Sequence, residues 1–89
     1  MKAFHLLYSA QARKDFKRLD PPVARLLYAW LSKNIEGCDN PRAHGKALSG
    51  NRAGQWRYRI GSHRIICQIQ DDAVIVLVLT VGHRKNVYR

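Results

Sequence analysis

Acidic residues are what this chain has least of. Six Asp and Glu stand against sixteen Lys and Arg in 89 residues, a net charge of +10 and an isoelectric point near 10.3. The shortage bears on mechanism. A two-metal nuclease needs several carboxylates converging on one point, and the only close pair, Asp71-Asp72, is adjacent in a turn. Cysteine is also scarce. Cys38 and Cys67 lie far apart in segments of different kinds, which makes neither a disulfide framework nor a zinc motif. A reducing, cytoplasmic setting is expected, and Cys67, inside an apolar alternating run, reads as a small buried residue rather than a reactive thiol. The four histidines, His5, His44, His63 and His83, have no zinc-motif spacing. There is no Walker loop, no GxGxxG and no Ser or Cys triad with an evident orienting acid. No apolar run approaches the roughly 18 residues of a membrane span. The opening "MKAFHLLYSAQARK" turns to charge after a short apolar run, so neither a signal peptide nor a membrane association is expected. No metal or cofactor is expected either.

What is present is a core. Hydrophobic residues make up 46% of the chain, which places it among folded proteins. Its length predicts a single domain over residues 1–89. A folded domain this basic is usually a polyanion binder, with nucleic acid the first partner to consider and an acidic protein the second. A membrane surface fits less well, because no helix pairs a basic face with a strong exposed apolar one.

The periodicity changes once along the chain. Residues 2–8 predict a strand, and Ser9 a helix N-cap. Ala12, Phe16 and Leu19 then recur at helical spacing, with Arg13, Lys14, Lys17 and Arg18 mostly on the other face. Asp20-Pro21 predicts a second N-cap. Val23, Leu26, Leu27, Trp30, Leu31 and Ile35 form the apolar stripe of a helix that should stop at Gly37. "CDNPRAHGKALSGNRAG" reads as a loop. Beyond it the period is two: "QWRYRI", the turn Gly61-Ser62, "HRIICQIQ", the turn Asp71-Asp72, and "AVIVLVLTV" predict an antiparallel meander. The last strand is apolar on both faces and should be central. The expected fold is α+β in the order β-α-α-β-β-β, a helical hairpin on one face of a twisted, mainly antiparallel sheet.

Alternation sends Trp56, Tyr58 and Ile60 to one face and Arg57 and Arg59 to the other. With Gly61-Ser62 as a two-residue turn, Arg59 pairs with Arg64 and Arg57 with Ile66. Like charges in cross-strand positions are unfavourable unless something neutralises them, so this patch points to an anion. An ordinary solvated basic face is the alternative. The meander returns "GHRKNVYR" to the same end of the sheet, where the tail would complete the patch. Metal-free phosphoryl chemistry on RNA suits such a site. The substrate's 2′-hydroxyl supplies the nucleophile, and the protein supplies cations, an acid and a base. Arg57, Arg59, Arg64 and Arg84 are candidates for phosphate. His83 and Tyr88 are candidates for proton transfer, Tyr88 alternatively for stacking. His63 is a weaker candidate, and His5 and His44 read as structural or incidental. Arg13, Lys14, Lys17, Arg18, Lys46, Arg52, Lys85 and Arg89 are candidate RNA or ribosome contacts.

"LSGNRAGQWRYRIGSHRIICQIQDDAVIVLVLTVGHRKNVYR" resembles the C-terminal half of RelE-type toxins of the RelE/ParE superfamily, most specifically in "WRYRIG…RIICQI" and "VGHRKNVYR". The resemblance implies the toxin of a type II toxin–antitoxin pair that enters the ribosomal A site, cleaves mRNA and so inhibits translation. It implies a RelB-like antitoxin, with an acidic, partly disordered segment, that wraps it in a hetero-oligomer. Two family lysines fall on Arg57 and Arg59, a family arginine on Arg64, and the C-terminal arginine and tyrosine on Arg84 and Tyr88. The exchange of lysine for arginine keeps phosphate binding and argues against proton donation at 57 and 59. His83 stands where some relatives have lysine and could take over proton transfer. The sequence stops soon after Tyr88, without the further helix of some relatives. A ParE-like gyrase inhibitor and a non-catalytic RNA- or ribosome-binding module are the alternatives.

Overall fold

The computed structural model describes residues 2–83. The chain runs β1 (His5–Tyr8), α1 (Ala10–Arg18), α2 (Pro21–Asn34), β2 (Lys46–Ala47), β3 (Trp56–Ile60), β4 (His63–Gln70) and β5 (Ile75–His83). The strands form one five-stranded sheet in the order β1-β5-β4-β3-β2, in which β1 lies parallel to β5 and the other pairs are antiparallel. The expected α+β class and mainly antiparallel sheet are what is found, and β5 is internal, as its apolar faces require.

Local chemistry explains the helices. Ser9 caps α1, its hydroxyl accepting from Ala12 N–H at 3.0 Å. Asp20 occupies the N-cap of α2 with proline at the first helical position, but its carboxylate makes no capping hydrogen bond. Leu27, Leu31 and Ile35 are fully buried along one stripe. Leu26, one residue off that stripe, is 60% exposed, so it does not join the face predicted for it. The helix ends at Asn34, and Gly37 turns the chain with φ +78.

The helices cover one face of the sheet. Ala12 and Phe16 of α1 and the α2 stripe meet Tyr58, Ile65, Cys67, Val76, Val78 and Val81 in one cluster. Burial pushes the Cys67 thiol pKa up, as expected of an inert core residue. Tyr58 is completely buried, and its hydroxyl donates to the Pro41 carbonyl at 2.7 Å. That bond fixes the connection between α2 and β3.

This connection holds more order than its composition predicted. Short 3-10 turns occupy Pro41–Ala43 and Gly50–Arg52, and between them lies β2. The turn after β4 is longer than Asp71-Asp72, so β5 begins at Ile75 and runs to His83. Val74 in that turn has φ 57, unusual for a β-branched residue. Its carbonyl accepts the His5 N–H at 3.0 Å and helps dock β1.

The last strand contains a bulge. Ile66 pairs with Thr80 but Cys67 pairs with Val78, leaving Leu79 as an extra residue in β5. Val78 and Val81 therefore face the same core although they are three residues apart.

Candidate functional site

The face of the sheet opposite the helices carries the cations. Arg57 pairs with Ile66 and Arg59 with Arg64, the register the Gly61-Ser62 turn predicts. Because Tyr58 and Ile65 face the helices, alternation sends Arg57, Arg59 and Arg64 to the opposite side. Arg59 is exposed, and Arg57 and Arg64 are half-buried. Arg64 Nη1 is buried and has no hydrogen-bond acceptor among the described residues. A buried charged donor without an acceptor is costly, so an anion brought to it would be stabilised. Three of the carboxylates are engaged elsewhere: Asp15 with Thr80, Glu36 with His5, and Asp71 with Arg42.

Strand β2 adds a fourth cation. Lys46 pairs directly with Arg57, and Ala47 with Trp56. The approach depends on Gly45. It has φ +81, and a Cβ there would collide with the Arg57 carbonyl and crowd Trp56 Nε1. The indole N–H donates to the His44 carbonyl at 2.7 Å, closing the junction. Sequence reasoning placed Lys46 among general RNA contacts and missed this pairing. The available signal was the glycine immediately before it, within a loop.

The histidines fall on the other side. His63 pairs with Ile60 and with His83, and the two imidazoles meet edge to face at 5.8 Å. Their alternation matches Ile65 and Val81, which face the helices. Strict alternation from Val76 and Val78 would have put His83 on the arginine face. The Leu79 bulge reverses that parity, so His83 does not join Arg59 and Arg64. The expectations for Arg84, Lys85, Tyr88 and Arg89 lie outside the described residues.

Helix α1 holds the far part of β5 in place. Beyond the end of β1, Ser9 N–H donates to the Val78 carbonyl at 2.9 Å, and the Ser9 hydroxyl to the Leu79 carbonyl at 2.8 Å. Asp15 Oδ2 then accepts from the Thr80 hydroxyl at 2.5 Å and from Val81 N–H at 3.1 Å. Burial alone would raise the Asp15 pKa. Hydrogen bonds from Thr80, Gln11 and Val81, with the Arg18 charge, outweigh it and hold the carboxyl below its ordinary value. This zipper leaves Arg13, Lys14, Lys17 and Arg18 exposed on α1. Arg52 is half-buried and donates to Gln55 Oε1 at 2.9 Å.

Comparison with known proteins agrees with this architecture. The chain is similar to toxin RelG of Mycobacterium tuberculosis, with 28% identity over 82 residues and 92% of each chain covered. It is similar to the mRNA interferase toxin RelE of Escherichia coli, with 27% identity over 85 residues, 94% of this chain and 86% of that one. Among solved structures, the toxin–antitoxin complex RelBE2 of Mycobacterium tuberculosis contains a chain that superposes with a TM-score of 0.83 at 25% identity, covering 97% of both chains. The family of ParE toxins of type II toxin–antitoxin systems, parDE, matches residues 6–88. With nearly its whole length matched, and with RelE-type toxins among its relatives, the chain belongs to this family of type II toxin–antitoxin toxins.

Proposed function

We propose that this toxin is a ribosome-dependent endoribonuclease that cleaves mRNA in the A site without a metal ion. The observation that carries the reading is Arg59 directly opposite Arg64, with the buried Arg64 Nη1 lacking an acceptor among the described residues. A phosphodiester approaching its pentacoordinate transition state would supply that acceptor and relieve the repulsion. The name of the Escherichia coli relative, an mRNA interferase, supports the same reading.

The arginines would neutralise the phosphate and hold it in line with the adjacent 2′-hydroxyl. Attack by that hydroxyl gives a 2′,3′-cyclic phosphate and a free 5′-hydroxyl. Arg84 is proposed as a further phosphate ligand, and Tyr88 as a stacking or proton-transfer group. The exposed cations of α1, with Lys85 and Arg89, are proposed to contact ribosomal RNA. A RelB-like antitoxin with an acidic segment is proposed to cover the arginine face. Relatives crystallised as toxin–antitoxin complexes support such a partner.

The test is single-turnover incubation with programmed ribosomes in the presence of a chelator that leaves ribosomes intact, followed by mapping of the RNA ends. A 5′-hydroxyl and a cyclic phosphate are expected. A 5′-phosphate, or no cleavage, refutes the reading. Inhibition of DNA gyrase is the second reading, favoured by the ParE description of the matching family. A supercoiling assay with purified gyrase separates the two.

A further inference from the structure

Cleavage by the 2′-hydroxyl needs a proton at the departing 5′-oxygen, and among the described residues the face opposite the helices is poor in groups that could give one. Arginine remains protonated and transfers protons badly. The register sends His63 and His83 to the helix-covered side, with Ile65 and Val81. His5 shares the arginine face but sits on β1, three strands from β3 and bonded to Glu36 at 3.0 Å. At about 4.8 Å per strand, that is some 14 Å away. Thr80, opposite Ile66, already donates its hydroxyl to Asp15. Gln68 and Gln70 do not titrate. Among the described residues, Lys46 is the one proton-exchanging group next to the arginines.

Its place is specified. Gly45 is the position at which β2 comes too close to β3 for any side chain, and the next residue is the lysine that pairs with Arg57. The pairing sets the lysine beside the arginine on the same face of the sheet. The pair repeats, one row along, the Arg59–Arg64 pair.

Building on the nuclease reading above, we propose that Lys46 is the general acid that protonates the leaving 5′-oxygen. In the step, the 2′-oxygen bonds to phosphorus and gives its proton to solvent water. The bond from phosphorus to the 5′-oxygen breaks, and that oxygen takes a proton from the Lys46 ammonium. The products are the cyclic phosphate, the 5′-hydroxyl and a neutral amine that solvent reprotonates.

The test uses Lys46→Arg, which keeps the charge and removes the transferable proton. Parent and variant are compared in single turnover on ribosomes programmed with normal mRNA, and with mRNA bearing sulfur in place of the 5′-oxygen at the scissile bond. A thiolate is a far weaker base than an alkoxide and leaves without protonation. On the oxygen substrate Lys46→Arg should be slower by about 10²–10⁴-fold. On the sulfur substrate it should match the parent. Equal slowing on both substrates would mean that Lys46 only positions the site, and no slowing on oxygen would mean it has no role; either overturns the proposal. A parent protein that cleaves neither RNA refutes the nuclease reading itself, and the role of Lys46 with it.

Discussion

One carboxylate oxygen of Asp15 accepts both the Thr80 hydroxyl, at 2.5 Å, and the Val81 backbone N–H, at 3.1 Å. A helix side chain thus does the work of a neighbouring strand where β1 has ended. Replacing Asp15 with alanine leaves two part-buried donors unanswered and should cost about 1–3 kcal/mol. The Asp15 pKa is lowered in the folded protein, so its ionised form favours folding. That stability is present above the ordinary carboxylate value, about pH 4, and is lost as pH falls through the lower folded value. Denaturation at pH 7 should therefore separate parent from Asp15→Ala, and the gap should shrink by about pH 3.

Arg59 opposite Arg64 should act against stability and in favour of function. Removing one member of a like-charged cross-strand pair is expected to stabilise the fold by about 0.2–1 kcal/mol at low salt. Added salt should narrow the gain, because the repulsion is partly screened. Urea melts of Arg59→Gln at two salt concentrations check this. A variant less stable than the parent at both would contradict the reading of Arg59 and Arg64 as a repelling pair.

Gly45→Ala should be disproportionately costly for an exposed residue. It forces a side chain into φ +81 and into the Arg57 carbonyl. Strain of this kind costs about 1–3 kcal/mol, and relief requires β2 to leave the sheet. Hydrogen exchange should show the loss of protection confined to the segment around Lys46 and its partners on β3.

Tyr58→Phe removes one buried hydroxyl that donates to Pro41 and leaves the ring in the core. The loss should be about 0.5–1.5 kcal/mol by chemical denaturation. Larger damage would mean that this bond organises the whole connection to β3.

His83→Gln should cleave close to the parent rate, because the bulge at Leu79 turns position 83 away from the arginines. Arg64→Ala should lose about 10²–10³-fold, the effect of removing one preorganised donor. Single-turnover cleavage with ribosome binding measured in parallel decides between them. Strong loss in His83→Gln with intact binding would return proton transfer to the histidine.

The sequence by itself determined the two helices, the internal position of β5 and the opposition of Arg59 and Arg64. Those features follow from short-range rules: N-caps at Ser9 and Asp20, an apolar stripe at helical spacing, and a two-residue turn at Gly61-Ser62 that fixes register. Only the tertiary structure decided which side His83 takes and where Lys46 lies. A bulge costs no distinctive residue, since Leu79 looks like any other member of an apolar run. Its position depends on how β5 meets β4 on one side and Ser9 and Asp15 on the other. The pairing of β2 likewise rests on contacts between residues about eleven apart, Lys46 with Arg57 and Gly45 with the Arg57 carbonyl. Two residues carry too little periodicity to mark a strand, so that cation reached the site through packing rather than pattern.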